Sequence, residues 1–290
     1  MGQKDSSEKL LEDYSDVFAD IVNVLLFHGE RIVKEEDLQE TGLNSQYKAD
    51  DGKLHEQERD VARYWKRGNV KIALCGLENQ TGVDNDMPLR IMNYDGASYR
   101  SQLLTGKERY PVVTLVLYFG NRPWNGPVSL YEALDIPEEL KPYVSDHRMN
   151  LVEVASLSEE VVKKFQSDFR IVADFFTRWR KTPDFIPENR KIRHVDELMK
   201  FLDVFSHDDR FYKTAVLLKE EGKEVASMCD VLDRIEAKGR TEGREEGRVQ
   251  GRTRVFVNMI RRGFSVEDAM SLAEITEEQA ERALKEMEDN

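Results

Sequence analysis

The run Lys71-Ile72-Ala73-Leu74-Cys75-Gly76-Leu77-Glu78-Asn79-Gln80 constrains this chain more than any other stretch. Apolar residues occupy both alternations of a strand-length segment, the pattern of a strand covered on both faces and lying inside a sheet. The run then ends on a carboxylate and two amides. A carboxylate in that setting must be paired, hydrated or bound to a cation, because a lone buried charge is too unfavourable to persist. Glu78 and Gln80 are two apart, so their side chains leave the same face of the strand.

The residues before it supply a partner. Arg59 to Trp65 reads as a strand and Lys66-Arg67-Gly68-Asn69 as turn chemistry, so the two strands form a β-hairpin. Asp60 is the acid this hairpin brings towards Glu78. Its position depends on register. A two-residue loop centred on Gly68-Asn69 sets Asp60 opposite Leu77, on the face away from Glu78. A three-residue loop, or a bulge further along, sets Asp60 beside Glu78. Both registers are open at this level. The alternative to a reactive site is a structural one, in which Glu78 is tied to Arg90 or a backbone N–H and Asp60 simply opens a strand.

The rest of the chain alternates strands and helices before turning helical. Ser6 to Phe27 is expected to form a helix with an apolar stripe of Val17, Phe18, Ile21, Val22, Leu25 and Leu26. Asp13, Asp16, Asp20 and Asn23 fall towards the other side, either as a solvated face or with one acid leaning over the sheet edge. Arg31 to Asp51 reads as irregular, with Ile32-Val33 as a short strand. Asp84 to Leu104 is a helix with Pro88 in its first turn. Ile91, Tyr94, Ser98 and Gln102 make no clean stripe, which predicts packing on two sides. Pro111 to Tyr118 is a dense β-branched strand, Gly120 to Pro127 a turn-rich loop, and Met149 to Val154 a further strand. The expected fold class is therefore α/β, a mixed central sheet flanked by helices.

Beyond Leu157 the expected helices are Ser158 to Trp179, Val195 to Phe205, and one long helix from Asp209 to about Arg254, with Pro183 and Pro187 at the first joint. Gly239, Gly243, Gly247 and Gly251 recur every fourth residue, each followed by arginine. Such glycines form a slowly drifting helical ridge, while each weakens a lone helix by roughly 1 kcal/mol. The segment is a self-associating helix or a flexible tether. Ser265 to Ala273 and Thr276 to Met287 are two short helices, the second with a Thr276-x-x-Gln279 capping box. This divides the chain into an α/β core (1–157), a helical extension packed on it (158–222), a long Gly/Arg/Glu-rich helix (223–262) and an acidic helical hairpin (263–290).

Charge bears on partners. The net charge of −13 weighs against nucleic acid for the chain as a whole. Yet Arg59, Arg63, Lys66, Arg67 and Lys71 face only one acid, Asp60, between residues 59 and 71, and this basic island surrounds the hairpin. No run of about 18 apolar residues suits a membrane span. Met1 to Lys9 lacks the apolar region of a secretory signal. Cys75 and Cys229 lie far apart with no framework to staple, so they read as reduced thiols of a cytoplasmic protein. The five histidines show no zinc-ligand spacing.

Several stretches together resemble the Rpn/YhgA-like family of recombination-promoting nucleases, also called putative transposases, within the PD-(D/E)XK superfamily. They are Phe18-Ala19-Asp20-Ile21-Val22-Asn23, Arg59-Asp60, Leu77-Glu78-Asn79-Gln80, Met87-Pro88-Leu89-Arg90-Ile91-Met92-Asn93-Tyr94-Asp95 and Tyr118-Phe119-Gly120. The resemblance spans about Leu10 to Ile171. It implies a restriction-endonuclease-like core and Mg²⁺-dependent endonucleolytic cleavage of DNA with little sequence readout, Mn²⁺ being able to substitute. Asp60 and Glu78 would then be metal ligands with the Asn79 backbone carbonyl, and Gln80 would stand where the superfamily carries lysine. Asp20 would be the helical acid nearest to them. Arg59 stands where the superfamily often has proline. Arg63, Lys66, Arg67, Lys71 and Arg90 are the expected DNA contacts, and the C-terminal helix the expected site of homo-oligomer formation.

Overall fold

The computed structural model describes residues 11–41, 45–48, 54–57, 60–105, 108–178, 182, 189–206, 210–221 and 227–288. It forms two compact units, residues 1–228 and residues 229–290.

In the first unit, α1 (Ser15–Leu26) is followed by β1 (Leu38–Glu40) and by a separate two-stranded ribbon, β2 (Ser45–Lys48) with β3 (Leu54–Gln57). The hairpin β4 (Val61–Arg67) and β5 (Val70–Gln80) comes next, then α2 (Met87–Thr105), β6 (Val112–Tyr118), α3 (Leu130–Leu134) and β7 (Asn150–Glu153). Five of these strands make one sheet in the order β1-β4-β5-β6-β7. The β1-β4-β5 half is antiparallel and the β5-β6-β7 half parallel, so the sheet is mixed as expected. The segment 31–51 departs from expectation: it holds β1 and β2, while Ile32-Val33 is not a strand. Asn23 explains the latter. Its side-chain carbonyl accepts the N–H of both Ile32 and Val33, and its amide donates to the Val33 carbonyl, so these backbone groups pair with α1 instead of a sheet.

β5 is central. Residues 73–79 are all buried, with β4 on one side and β6 on the other. One face of the sheet packs on α2, whose Met87, Ile91 and Tyr94 gather with Val116 and Met149. Contrary to the two-sided packing expected, Met87, Ile91, Tyr94, Asp95 and Gln102 lie on a single buried face, while Leu89, Met92, Tyr99 and Leu103 stay exposed. Polar groups blurred the pattern. Asp95 accepts from Thr114 on β6, and Gln102 pairs with the backbone of Tyr110, so these polar residues belong to the inner face.

Helices α4 (Glu159–Val162), α5 (Phe169–Thr177), α6 (Val195–Ser206) and α7 (Arg210–Glu220) complete this unit. Phe119, at the end of β6, meets the rings of Phe176, Phe201 and Phe205 at centroid distances of 5.1, 5.3 and 4.9 Å. The strand end and the α5–α6 layer therefore share one aromatic core. The expected Pro183 and Pro187 joint lies outside the described residues.

The single long helix expected from Asp209 does not form. α7 stops at Glu220, Ser227 bridges to Lys191, and α8 (Met228–Arg261) is a separate element. Glu220 precedes Gly222 in sequence, a residue type that favours helix ends. In the second unit, Phe256 of α8 packs on Ala269 and Ala273 of α9 (Val266–Ala273) and on Ala280 and Ala283 of α10 (Glu277–Glu288). The capping box is formed: the Thr276 N–H donates to the Gln279 side chain and the Gln279 N–H to the Thr276 hydroxyl. Among the described residues no helix is long and apolar enough to cross a membrane.

Candidate active site

The hairpin register follows from one extra residue. Arg67 pairs with Val70 across a two-residue loop, with Gly68 at φ +62°. Carried through unchanged, that pairing would set Asp60 opposite Leu77. Between Trp65 and Lys66 the register shifts: Lys66 pairs with Lys71, Trp65 with Ala73, and Ile72 is the bulged residue. Every pair beyond is displaced by one, so Val61 faces Leu77 and Asp60 comes level with Glu78. The two-residue turn and the bulge occur together, and the bulge decides the face.

Glu78 is 3 % exposed and points towards α2. Its Oε1 accepts from Arg90 Nη2 at 2.6 Å and from Gln80 Nε2 at 3.3 Å. Arg90 also donates to Asp84 at 2.7 Å and to the Tyr94 hydroxyl at 3.2 Å. Burial works against the charge of the Arg90 guanidinium, but Tyr94, Asp84 and Glu78 outweigh it and hold the group more firmly protonated than usual. Burial raises the Tyr94 phenol, and the Glu78 charge adds to the effect. The ion pair with Arg90 that the structural alternative required is therefore present.

Asp60 turns its carboxylate onto the strand, accepting the Asn79 N–H at 2.8 Å. The N–H and C=O of one strand residue project to the same side, so the Asn79 carbonyl also points past the end of β4 towards Asp60. The Asn79 side chain lies on the face opposite Glu78 and donates to Glu12 Oε1 at 3.2 Å.

Glu12 is the acid that the sequence reading missed. It lies in a helical turn, Leu11–Asp13, just ahead of α1 and is 0 % exposed. Burial first, and the nearby Asp60 charge after it, push its carboxyl up to about 8. Its Oε2 and the Asn79 Oδ1 are buried without hydrogen-bond partners. The available signal was Glu12 itself, an acid beside Leu11 at the start of an apolar stripe.

Asp20, expected beside the site, is held elsewhere. Its Oδ2 accepts the N–H groups of Gln166 and Ser167 and the Ser167 hydroxyl, each at 2.8 Å, and its Oδ1 pairs with Arg31. It fastens α1 to the segment before α5. Arg63 is a second correction. Paired with Cys75, it shares the face of Leu77 and Asn79, is 4 % exposed, and donates to the Asp13 carbonyl at 2.7 Å. It clamps the Leu11–Asp13 turn and is out of reach of a phosphate backbone. Lys66, Arg67 and Lys71 cluster at the hairpin tip, where Lys71 Nζ sits 3.7 Å from the Tyr64 ring centroid. Seven residues of strand separate Lys71 from Glu78, about 23 Å, so this cluster does not converge on the site. Arg59 lies outside the described residues.

The donor set suits a hard cation in its chemistry: carboxylates, a carbonyl and no sulfur or imidazole. The two unpartnered buried oxygens, Glu12 Oε2 and Asn79 Oδ1, lie on the other face of β5 and are not part of this donor set. Among the described residues no group of three or more His, Cys, Asp or Glu side chains is drawn together as a ready-made metal centre.

Residues 63–206 match the family model described as "Putative transposase, YhgA-like". The match includes Glu78, Asn79, Gln80 and Arg90, begins just after Asp60, and ends with α6. No curated protein matches the chain, and no solved structure does.

Proposed function

From the membership of residues 63–206 in the YhgA-like putative transposase family, we propose that this chain is a metal-dependent DNA endonuclease whose site is Asp60, Glu78, Asn79 and Gln80. The observation that carries the reading is the bulge at Ile72, which brings Asp60 level with Glu78 on a hairpin whose turn alone would separate them. Asp60, Glu78 and the Asn79 carbonyl would hold Mg²⁺, or Mn²⁺ in its place. Bound there, the cation would lower the pKa of a coordinated water and offset charge on the scissile phosphate. Gln80, fixed on Glu78 through its amide, keeps a carbonyl oxygen able to orient a water, without the charge a lysine would bring. Arg90 holds the Glu78 carboxylate in one orientation. Lys66, Arg67 and Lys71 would contact DNA phosphates at a distance from the cut, through charge and without base readout. α8 would serve assembly. Its four ridge glycines are open, since an added Cβ at any of them meets nothing within 4 Å.

A specific observation favours a second reading, a binding scaffold that cleaves nothing. Arg90 already neutralises Glu78 at 2.6 Å, and a cation must share that carboxylate. Plasmid nicking separates the two. Wild type and Glu78→Ala are compared in Mg²⁺, Ca²⁺ and EDTA, with folding checked by circular dichroism. Nicking that needs Mg²⁺ and is lost at least 100-fold in the variant supports the nuclease. Folded proteins that bind DNA equally and nick in no condition would establish the scaffold.

A further inference from the structure

Gln80 leaves the candidate site without a positive charge, and the cations nearest to it in sequence are engaged or distant. Arg90 pairs with Glu78 and Asp84 at 2.6 and 2.7 Å. Lys71 stands seven residues of strand from Glu78, about 23 Å. A phosphate brought to this end of the sheet carries a charge that neither one meets.

β6 supplies a cation from the next strand. Its last residue, Tyr118, pairs with Gln80, and the Phe119 N–H donates to the Gln80 carbonyl at 2.8 Å. Register partners in a sheet share a face, so Tyr118 lies on the side of Gln80 and Glu78. The chain then turns through residues 120–127 on that same side. Trp124 sets its ring edge-on to Tyr118, with 5.2 Å between centroids, and packs against the cluster of Met87, Ile91 and Val116. Arg122 lies between, three residues past Phe119, so its Cα is within about 11 Å of the residue bonded to Gln80. It is exposed, and among the described residues it has no hydrogen-bond or ion-pair partner.

The loop fixes Arg122 without using its side chain. The Trp124 N–H donates to Glu153 on β7 at 2.9 Å, and the indole N–H donates to the Gly126 carbonyl at 3.0 Å. Pro123 locks its own φ and biases Arg122 towards extended backbone. Gly126 lies so near the loop after β5 that an added Cβ would meet Val83 Cγ1 at 2.6 Å and Asn85 Oδ1 at 3.3 Å. Asp84, between those two residues, is the acid that holds Arg90. The loop that follows Gln80 and the loop that carries Arg122 therefore brace each other. A cation on such a loop loses little backbone freedom when it takes a ligand.

We propose that Arg122 holds the DNA phosphate beside Gln80 and brings to it the positive charge that Gln80 lacks. The contact is charge-assisted, guanidinium N–H groups donating to phosphate oxygens, and it reads no base. The assignment deepens the nuclease reading and rests on it for turnover, while the phosphate contact itself is measured by binding.

Full-length wild type, Arg122→Ala, Gln80→Lys and the double variant test it, each checked for folding by circular dichroism. A labelled duplex is titrated in Ca²⁺ over about 50–200 mM salt. Arg122→Ala is expected to flatten the slope of log K against log salt by about 0.9, the loss of one phosphate contact. Gln80→Lys should tighten binding by about threefold or more in the Arg122→Ala chain and much less in wild type, because both charges meet one phosphate. An unchanged slope, or equal gains from Gln80→Lys in both backgrounds, would overturn the proposal even if the chain cleaves DNA. In Mg²⁺, nicking at saturating DNA should fall about tenfold or more in Arg122→Ala. Unchanged turnover beside an active wild type would overturn the place of the contact next to the cut. Cleavage by no variant, with slope and coupling as expected, would remove the nuclease reading and leave the phosphate contact standing.

Discussion

At the scale of single residues, two buried groups on the face of β5 away from Glu78 have separable roles. Glu12 is raised from 4.5 to about 8, so the folded chain holds a proton there that the unfolded chain releases at neutral pH. Its contribution to stability is full below pH 4.5 and declines as pH rises towards 8. Glu12→Gln keeps the acceptor for Asn79 and removes the proton equilibrium. In EDTA, wild type should lose stability relative to Glu12→Gln between pH 5 and pH 8, by about 1 kcal/mol or more. Urea melts at both values check this; a constant difference would refute it. Arg63 should behave as structure. Arg63→Ala leaves the Leu11–Asp13 turn without its clamp, and a loss of about 2–4 kcal/mol is expected. Replacing Lys66 and Arg67 by alanine should instead leave the urea midpoint unchanged and lower the salt dependence of DNA binding.

At the scale of elements, the β4–β5 hairpin sets the site. A tight turn favours one register and the Ile72 bulge imposes the next, so the strand ends bring Asp60 and Glu78 level. That outcome was legible as a choice between two registers. It was not decided, because a bulge has no sequence signature of its own in Lys71-Ile72-Ala73. The strands, the glutamate and the amides were readable from the alternation of residues 71–80. The identity of the helical acid was not. Asp20 and Glu12 are both acids near the start of the same helical segment, and which one lies against β5 depends on how that segment crosses the sheet. Arg63 was read as a DNA contact because a basic island in sequence does not record which side of a strand each member leaves.

For the whole molecule, the second unit has a hydrophobic cluster of its own. Among the described residues of the second unit, Phe256 is a fully buried aromatic set among Ala269, Ala273, Ile275, Ala280 and Ala283. Phe256→Ala should remove about 3–4 kcal/mol from that unit. Hydrogen exchange is expected to rise across α9 and α10 and stay at wild-type levels in β4 to β7. Equal loss in both units would show that they fold as one.

The sequence by itself determined the α/β class, the buried central strand with its terminal carboxylate, and the resemblance to the family whose model residues 63–206 match. Periodicity and residue chemistry are local, and those features are written in contiguous residues. The tertiary structure decided the register of Asp60 against Glu78, the engagement of Arg90, the burial of Arg63 and the entry of Glu12. Each depends on where a second element lies in space, which one bulge or one helix crossing changes without altering any local pattern.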